Sequence, residues 1–351
     1  MRLKKRYFLR GTLIVLCFLL FVIASQVAWQ YYNCLENCNL SSKEAGVEHS
    51  YNIYPGTTID QMLVMLEQDY DIDSRLYFKI HSKLMKFNYP EPGHYTFGAE
   101  IGDRELIERF KYGKQTPISL TWNNSIRTRE QLAGFISSKL MMDSLTLLNH
   151  LEDNKFLASY GMNKETSRCL FIPNTYQVFW TITPEQLFTR MKKEYDAFWN
   201  TERMGKADKL GLTPVEVAIV ASIIEGESHN KTELPIIASL YLNRVRKGML
   251  LQACPTVIYA TGDFKLRRVL TKHLEIDSPY NTYKYRGLPP GPIRCAAPQS
   301  IDYVLNAPKT NYLYMCANPA LDGTHIFSAD YSIHQRAANQ YHQVMNENKI
   351  R

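Results

Sequence analysis

The sequence predicts an α+β protein with a single membrane-spanning helix at its N-terminus. Three patterns predict this class: an uncharged apolar run behind a basic start, short extended segments that alternate with short amphipathic helices, and a strongly apolar helix in the C-terminal half. A length of 351 residues suggests about two folded domains. With 45% hydrophobic and 21% charged residues, the composition is typical of a globular protein and excludes wholesale disorder.

The positive charge of the chain is concentrated at its start. The formal net charge is +7, and five basic residues with no acid among them occupy the first ten positions. They are Arg2, Lys4, Lys5, Arg6 and Arg10. Without these five the chain carries only +2, which argues against a basic groove for nucleic acid.

Residues 11–29 follow the basic segment 1–10 and form one uncharged apolar run. At 1.5 Å per residue, a helix of this length spans roughly 30 Å, the thickness of the hydrocarbon core of a membrane. No Lys or Arg follows before Lys43, so the positive-inside rule predicts a cytoplasmic tail at residues 1–10 and places the bulk of the protein outside the cytoplasmic membrane. The alternative is a signal peptide that is cleaved near Ala24.

A strand–turn–helix pattern follows a polar linker that we predict at residues 30–48. In residues 49–115, an extended segment and a turn lead to a helix with a capping box at Thr58 and Gln61. A second strand–helix pattern lies in residues 116–210, which also hold a mostly helical connector. A small α+β module of this kind is compatible with a spacer or with a polysaccharide-binding module, and the pattern alone does not choose between them.

The strongest helical pattern opens the last predicted domain, residues 211–351. Thr213 is the expected N-cap, and the apolar residues within 215–224 lie on every side of the helix, as in a buried core helix. The helix runs into Glu225 and Glu227, which point about 200° apart and cannot both face one substrate. Apolar surroundings and the negative end of the helix dipole both raise a carboxyl pKa, as a general acid requires. The alternative is an idle, solvated helix end.

A single carboxyl group with a raised pKa, without an obvious second acid, suits a reaction in which the substrate supplies its own nucleophile. Lytic transglycosylation of peptidoglycan is such a reaction, because the muramyl 6-hydroxyl closes onto C1 and no water is consumed. A glycosidase that uses water and a second acid is an alternative. The sequence contains no phosphate-cradling glycine loop and no convincing metal-ligand cluster, so we expect no cofactor and no metal.

Residues 277–298 form a loop that is rich in proline and tyrosine. A loop of this length inside a compact domain is typically functional or disordered. Its tyrosines offer flat faces to sugar rings, and Asn281 and Arg286 offer hydrogen bonds to hydroxyl groups. A purely structural loop around the core is the alternative.

Several short motifs along residues 50–345 carry a resemblance to a known family. They occupy residues 221–228, 242–246, 248–252, 255–259, 280–283, 287–293, 312–314, 325–327 and 334–336. In this order, they resemble the endolytic murein transglycosylases of the MltG (YceG-like) type. The resemblance implies that Glu227 is the catalytic acid and base, with Glu225 as a secondary candidate.

The resemblance also implies an architecture and partners. Residues 49–115 would be a LysM-like, glycan-contacting domain, and residues 211–351 a mixed, helix-rich lytic transglycosylase domain. The substrate would be the glycan strands of peptidoglycan, and the partners at the cytoplasmic membrane would be peptidoglycan synthases, the penicillin-binding proteins. The positions implied as glycan contacts are Asn243, Gln252, Tyr280, Asn281 and Tyr283. Core packing is the alternative for the first two.

Three positions depart from the family. Cys254 stands where the family commonly has Asp before Pro-Thr, and Cys295 stands where Asn or a small residue is usual. These two departures make a Cys254–Cys295 disulfide our preferred local hypothesis, and free thiols are the alternative. Gly226 replaces the usual Lys of a Glu-Lys-Glu triplet, which predicts a looser helix end beside Glu227.

The expected activity is endolytic cleavage of the MurNAc–GlcNAc β-1,4 bond in nascent strands, which leaves 1,6-anhydroMurNAc ends and terminates strand elongation. Such an enzyme is a carbon–oxygen lyase that acts on a polysaccharide. Two alternatives remain open: a non-catalytic, peptidoglycan-binding scaffold of the wall-synthesis machinery, and a glycan hydrolase.

Overall fold

The computed structural model describes residues 2–266 and 268–347, with side chains from residue 10 onward. The chain divides into two units. The first contains the residues up to Ser119 together with Gln177–Thr181, and the second contains Leu120–Tyr176 and the residues from Ile182 onward. The mixture of helices and small sheets confirms the predicted α+β class.

The first helix, α1, spans Arg2–Glu36. Its segment Arg10–Glu36 is long and apolar enough to cross a membrane. Large apolar side chains along this segment, among them Leu16, Phe18 and Phe21, are more than half exposed. A continuous apolar surface of this kind is unfavourable in water and normal in contact with lipid, and a signal sequence has the same composition.

The polar linker predicted at residues 30–48 is wrong, because regular structure occupies much of it. α1 reaches into this segment, and Leu40–Ser42 form strand β1. The helix is longer than predicted because the ring of Tyr31 packs against that of His81, with 4.5 Å between the ring centroids. The strand forms because Leu40 is fully buried in the core of the first unit.

Two small antiparallel sheets and three helices complete most of the first unit. The elements after β1 are β2 (His49–Ile53), α2 (Ile59–Leu66), β3 (Tyr70–Ile72), α3 (Arg75–Leu84), β4 (Gly93–Phe97), β5 (Glu100–Ile101) and α4 (Asp103–Lys111). β1 lies between β3 and β5, with Leu40 opposite both Ile72 and Ile101, and β2 pairs with β4. Thr58 and Gln61 form the predicted capping box at the start of α2.

The core of the first unit combines apolar side chains from both sheets and all three of these helices. Its largest fully buried side chains are those of Tyr70, Phe78, Tyr95, Phe97 and Phe110. One acid, Asp103, is also buried in this unit. Its carboxylate accepts a hydrogen bond of 2.8 Å from Asn39 Nδ2, and its other oxygen lies 2.5 Å from His81 Nδ1. Both oxygens of this buried acid are thus satisfied, as burial requires.

The chain then passes through a strand pair and five α-helices. These elements are β6 (Ile118–Thr121), α5 (Arg129–Ser137), α6 (Ser144–Glu152), α7 (Asn154–Ala158), a 3₁₀ turn (Ser167–Leu170), β7 (Thr175–Val178), α8 (Pro184–Phe198) and α9 (Thr201–Leu210). β6 and β7 form a two-stranded sheet. The predicted region 116–210 is therefore not a separate domain, since most of it folds with the C-terminal part of the chain.

The remaining elements surround one central helix. They are α10 (Pro214–Glu227), α11 (Leu234–Arg246), α12 (Cys254–Thr261), α13 (Thr271–Leu274), α14 (Pro298–Leu305), β8 (Tyr314–Ala317), β9 (His325–Ser328) and α15 (Tyr331–Glu347). β8 and β9 pair in antiparallel orientation. α11, α12 and α14 all contact α10.

The prediction that α10 is a buried core helix is confirmed. Thr213 caps its start, and every side chain from Val217 to Ile224 is buried. The proline-rich loop 277–298 packs against it, because the main-chain nitrogen of Ile293 donates a hydrogen bond of 3.1 Å to Ser222 Oγ. This loop is therefore attached to the helix that carries the two predicted acids.

Candidate active site

The end of α10 places a carboxyl group where a buried hydroxyl can orient it. Glu227 is the last residue of the helix and is half-buried. The hydroxyl of Tyr241, on α11, donates a hydrogen bond of 2.6 Å to Glu227 Oε1, and Tyr241 itself is 1% exposed. Within the described part of the chain, Glu227 Oε2 has no hydrogen-bond partner. One oxygen is thus fixed by a hydrogen bond and the other is unbonded.

Burial raises the pKa of Glu227 to about 7. The hydrogen bond from Tyr241 and the positive charges of His325 and Arg244 act in the opposite direction. The carboxyl group is therefore populated in both protonation states near neutral pH. This suits a group that must first donate a proton and then take one back.

Arg244 provides a fixed positive charge on the same face of α11 as Tyr241. Its guanidinium is buried, and it donates hydrogen bonds to the main-chain oxygens of Leu313 (2.6 Å) and Leu251 (2.8 Å). These carbonyl groups satisfy the donors without cancelling the charge. The charge therefore favours the carboxylate that Glu227 becomes after it has donated its proton.

His325 is held in place by a second acid. Glu233, at the start of α11, is buried and accepts a hydrogen bond of 2.7 Å from the main-chain nitrogen of His325 through Oε1. Its other oxygen lies 2.9 Å from His325 Nδ1. Both oxygens of Glu233 are therefore occupied. Glu233 acts on Glu227 indirectly, because it fixes the position of the imidazole ring of His325.

Glu225 occupies the opposite side of α10 and is saturated. Its Oε1 accepts a hydrogen bond of 2.7 Å from the main-chain nitrogen of Ala297, and its Oε2 accepts one of 3.1 Å from Asn124 Nδ2. Burial raises the pKa of Glu225, and these hydrogen bonds, with one from Ser300, oppose that shift. The contacts agree with the prediction that Glu225 and Glu227 point apart, and they give Glu225 a structural task.

Gly226 lies between the two acids without breaking the helix. α10 continues through it to Glu227. A looser helix end at this glycine stays a prediction. A Cβ atom at position 226 would lie 2.6 Å from Cβ of Pro255, well inside van der Waals contact. The start of α12 therefore packs directly on the bare backbone of Gly226, and this contact supports the helix end.

Two of the five predicted glycan contacts lie near the acid. Gln252 is exposed, and its Oε1 accepts a hydrogen bond of 3.3 Å from Arg244 Nη1. Its φ of +53° is a left-handed conformation that is unfavourable for a residue other than glycine and is often found at functional sites. Tyr283 is half-buried; burial raises the pKa of its hydroxyl, and the charge of Glu227 adds to this effect.

The other three predicted contacts use their polar groups to hold the fold. Asn243 Nδ2 donates to the main-chain oxygen of Thr310 at 2.9 Å. Asn281 is fully buried, and its Nδ2 donates at 2.8 Å to two main-chain oxygens at and just after the end of α13. The Tyr280 hydroxyl donates to Glu165 at 2.9 Å. Contact with a glycan stays a prediction for all five residues.

The predicted Cys254–Cys295 disulfide is wrong in this structure, in which all seven cysteines lie in described segments and are free thiols. Cys254 is exposed, and its Sγ lies 3.3 Å from the Tyr283 hydroxyl. Cys295 is buried, with its main-chain nitrogen bonded to the oxygen of Ile126 at 2.9 Å. Burial raises the pKa of the Cys295 thiol to about 12. The two side chains therefore belong to different surroundings.

Sequence reasoning missed four residues around the acid. They are Glu233, Tyr241, Arg244 and His325. A signal was available for two of them, because a tyrosine hydroxyl and a guanidinium on the inward face of a helix each require a buried partner. Nothing local in the sequence connects His325 with Glu233, which lies on a different element.

The geometry is that of a candidate acid–base centre built on a single carboxyl group. Among the described residues near the end of α10, Glu225 and Glu233 are also acids, but hydrogen bonds occupy both oxygens of each. Only Glu227 combines a raised pKa with a free oxygen. Such a centre performs proton transfer without a metal-ligand set from the protein.

The chain belongs to the YceG-like family, whose model matches residues 51–340. It is 28% identical over 323 residues to a protein named endolytic murein transglycosylase from Bacillus subtilis (strain 168), and the match covers 87% of this chain and 88% of that protein. A pneumococcal protein of the same name (Streptococcus pneumoniae serotype 2, strain D39) is 24% identical over 299 residues, which is 75% of this chain and 53% of that protein.

A solved structure shares the fold. The crystal structure of a YceG-like protein from Listeria monocytogenes matches with a TM-score of 0.54 and 28% sequence identity. The match covers 82% of this chain and 98% of the Listeria chain. The family predicted from the sequence motifs is therefore confirmed by both kinds of comparison.

Proposed function

We propose that this protein is an endolytic murein transglycosylase that cleaves the MurNAc–GlcNAc β-1,4 bond in nascent glycan strands. The observation that carries this proposal is the position of Glu227, which is half-buried, oriented through one oxygen by Tyr241 and free at the other. Its pKa of about 7 matches the working range of a general acid that also serves as a base. The names of the related proteins support the same reaction.

In the proposed reaction, protonated Glu227 donates its proton to the glycosidic oxygen while the bond between that oxygen and C1 of MurNAc breaks. Arg244 and His325 stabilise the carboxylate that remains. The carboxylate then takes the proton of the muramyl 6-hydroxyl, whose oxygen bonds to C1. A 1,6-anhydroMurNAc end results, Glu227 regains its proton, and no water is consumed.

A hydrolase that places water with a second acid is less well supported by the contacts. Glu225 lies on the opposite side of α10 and is bonded to Asn124 and to the loop before α14. Glu233 is occupied by His325. Each would have to give up its hydrogen bonds before it could activate a water molecule, which is unfavourable for a buried acid.

We further propose that α1 anchors the enzyme in the cytoplasmic membrane, with the N-terminus in the cytoplasm and the rest of the chain outside. The apolar segment Arg10–Glu36 and the basic residues before it support this topology. The first unit would act as a LysM-like, glycan-contacting domain, and an open groove between the turn at Pro55 and helix α2 offers a surface for it. Cleavage of nascent strands beside peptidoglycan synthases would then terminate strand elongation.

The proposal is tested by digestion of nascent peptidoglycan with the full chain in detergent micelles, followed by mass analysis of the new ends. Anhydro ends, which are one water lighter than hydrolysed ends, are expected from the parent and not from Glu227→Gln. Hydrolysed ends would indicate the hydrolase instead. If the folded parent binds strands and releases no new ends, the protein is a scaffold and the proposed activity is wrong.

A further inference from the structure

A small pocket on the second unit is lined by two arginines without an acidic partner. It lies beside Gly226, encloses about 60 Å³, and is bounded by Arg127 and Arg294 together with the rings of Tyr259 and Phe264. The guanidinium carbon of Arg127 lies 5.0 Å from the centre of the Phe264 ring. Within the described part of the chain, neither guanidinium forms a hydrogen bond or an ion pair.

The charged groups that line this pocket are not compensated by protein groups. Burial lowers the pKa of Arg294 and the charge of Arg127 lowers it further, while Glu225 acts in the opposite direction. Glu225 is no substitute for an ion-pair partner, because its two oxygens are bonded elsewhere. Arg294 Nε is buried and has no hydrogen-bond partner in the described segments. An anion would remove the repulsion and satisfy this donor.

Gly226 keeps this pocket open. A Cβ atom at position 226 would lie 2.6 Å from Pro255, which lines the pocket, and 3.8 Å from Arg294 Nη2. Because consecutive Cα atoms are about 3.8 Å apart, the pocket begins within one residue of Glu227.

We propose that this pocket is an anion subsite that takes a carboxylate of the peptide stem carried by the glycan substrate, an inference that rests on the proposed function. The stem hangs from the same MurNAc sugar whose C1 bond is cut, and the pocket is lined by Gly226, the residue directly before Glu227. The pocket is small and has space for a carboxylate. Guanidinium forks match the two oxygens of a carboxylate.

The test measures binding rather than turnover, so that it stands apart from the proposed activity. All variants carry Glu227→Gln, and binding is measured with the full chain in detergent. Two substrates are compared: glycan strands that bear uncross-linked stems, and the same strands after an amidase has removed the stems. Arg294→Gln is expected to weaken binding of stem-bearing strands about tenfold and to leave binding of stripped strands unchanged. Arg127→Gln should act in the same direction, and Arg294→Lys should keep part of the affinity.

Lys247→Gln is the matched control, since it removes an exposed positive charge from α11 outside the pocket. It should not distinguish the two substrates. Because Arg294 has no ion pair to lose, the melting temperature of Arg294→Gln should equal or exceed that of the parent. A lower melting temperature without a change in binding would assign Arg294 a structural role and overturn the proposal.

A second experiment distinguishes a stem carboxylate from a free inorganic anion as the ligand of the pocket. Sodium sulfate is compared with sodium chloride at equal ionic strength, and it should compete only with stem-bearing strands. If sulfate raises the melting temperature of the parent but not of Arg294→Gln, while both kinds of strand bind equally, the pocket takes inorganic anions and the stem assignment is wrong. If the stem effect is present but the parent protein releases no anhydro ends, the subsite stands and the proposed activity falls.

Discussion

The two sides of the end of α10 present the same chemical group in opposite conditions. On one side, Glu225 is held by the main chain of Ala297 and by Asn124, and both of its oxygens are used. On the other side, Glu227 is held through one oxygen by Tyr241. Burial raises the pKa of both acids. The difference teaches that burial alone does not distinguish the two acids; the unused oxygen of Glu227 does.

The first unit supplies a third case that supports this comparison. Asp103 is more deeply buried than Glu227, and burial raises its pKa as well. Its oxygens are taken by Asn39 and His81, so it has the same saturated pattern as Glu225. A raised pKa is therefore a property of several buried acids in this chain, and the free oxygen singles out Glu227.

The largest expected effect separates the two acids directly. Glu227→Gln removes the transferable proton and should lower the rate of anhydro-end formation by about 10³-fold, within the range of general acid–base catalysis. Glu225→Gln should change the rate less than about tenfold, but it should lower the melting temperature, because the amide nitrogen that replaces one oxygen cannot accept a hydrogen bond, and either Ala297 or Asn124 loses its acceptor. For each variant, the rate and the melting curve are measured on the same protein preparation. Equal loss of rate in the two variants would contradict the comparison.

A smaller effect is expected on the free energy of unfolding, because burial disfavours the charged form of Glu227. Its folded pKa, about 7, lies above the unfolded value near 4.5, so the folded state binds more protons between these pH values. The free energy of unfolding of the parent therefore falls as pH rises through this window. Glu227→Gln does not titrate and should be more stable than the parent by about 1–3 kcal/mol at pH 8.5, with no gain at pH 4.

Denaturant unfolding at the two pH values measures this gain. Glu275→Gln removes an exposed carboxyl group from the same unit and serves as the matched control, for which no such pH-dependent gain is expected. A Glu227→Gln protein that is less stable than the parent at pH 8.5 would mean that the carboxylate stabilises the fold. Glu227 would then resemble Glu225, and the contrast between the two sides of α10 would be lost.

The sequence predicts the parts of this site that depend on neighbouring residues. The N-cap at Thr213 and the apolar helix that ends at Glu227 are local patterns, and the structure confirms both. The opposite directions of Glu225 and Glu227 follow from helical periodicity alone. Local patterns were therefore enough to put Glu227 at the end of a buried helix, and the packing of Pro255 on Gly226 could not be read from them.

The remaining parts depend on contacts between residues that are far apart in the sequence. Tyr241 lies on a different helix from Glu227, and His325 lies on a late strand. The sequence indicates that the Tyr241 hydroxyl needs a buried partner, but nothing in either element identifies Glu227 as the group that both residues act on. The linker prediction failed because Leu40 enters a sheet whose other strands come later in the chain. The disulfide prediction failed for the same reason, since two unusual cysteines in one domain need not be neighbours.

The smallest expected effect tests how Tyr241 tunes the acid. Its hydrogen bond stabilises the carboxylate and lowers the pKa of Glu227, so Tyr241→Phe should raise that pKa above about 7. Because the first step needs protonated Glu227, the alkaline limb of the kcat/KM profile should move upward by up to about one pH unit. At pH 7 the rate should fall by up to about tenfold, since one carboxyl oxygen loses its orientation.

Tyr51→Phe provides the matched control for this profile, because Tyr51 also donates a hydrogen bond to an acid, Asp69, in the first unit. Its removal should leave the alkaline limb in place. A downward shift in Tyr241→Phe would mean that the hydroxyl stabilises the protonated acid instead, and an equal shift in both variants would trace the effect to general loosening of the fold. Only an upward shift confined to Tyr241→Phe agrees with one oxygen of Glu227 being tuned while the other meets the substrate.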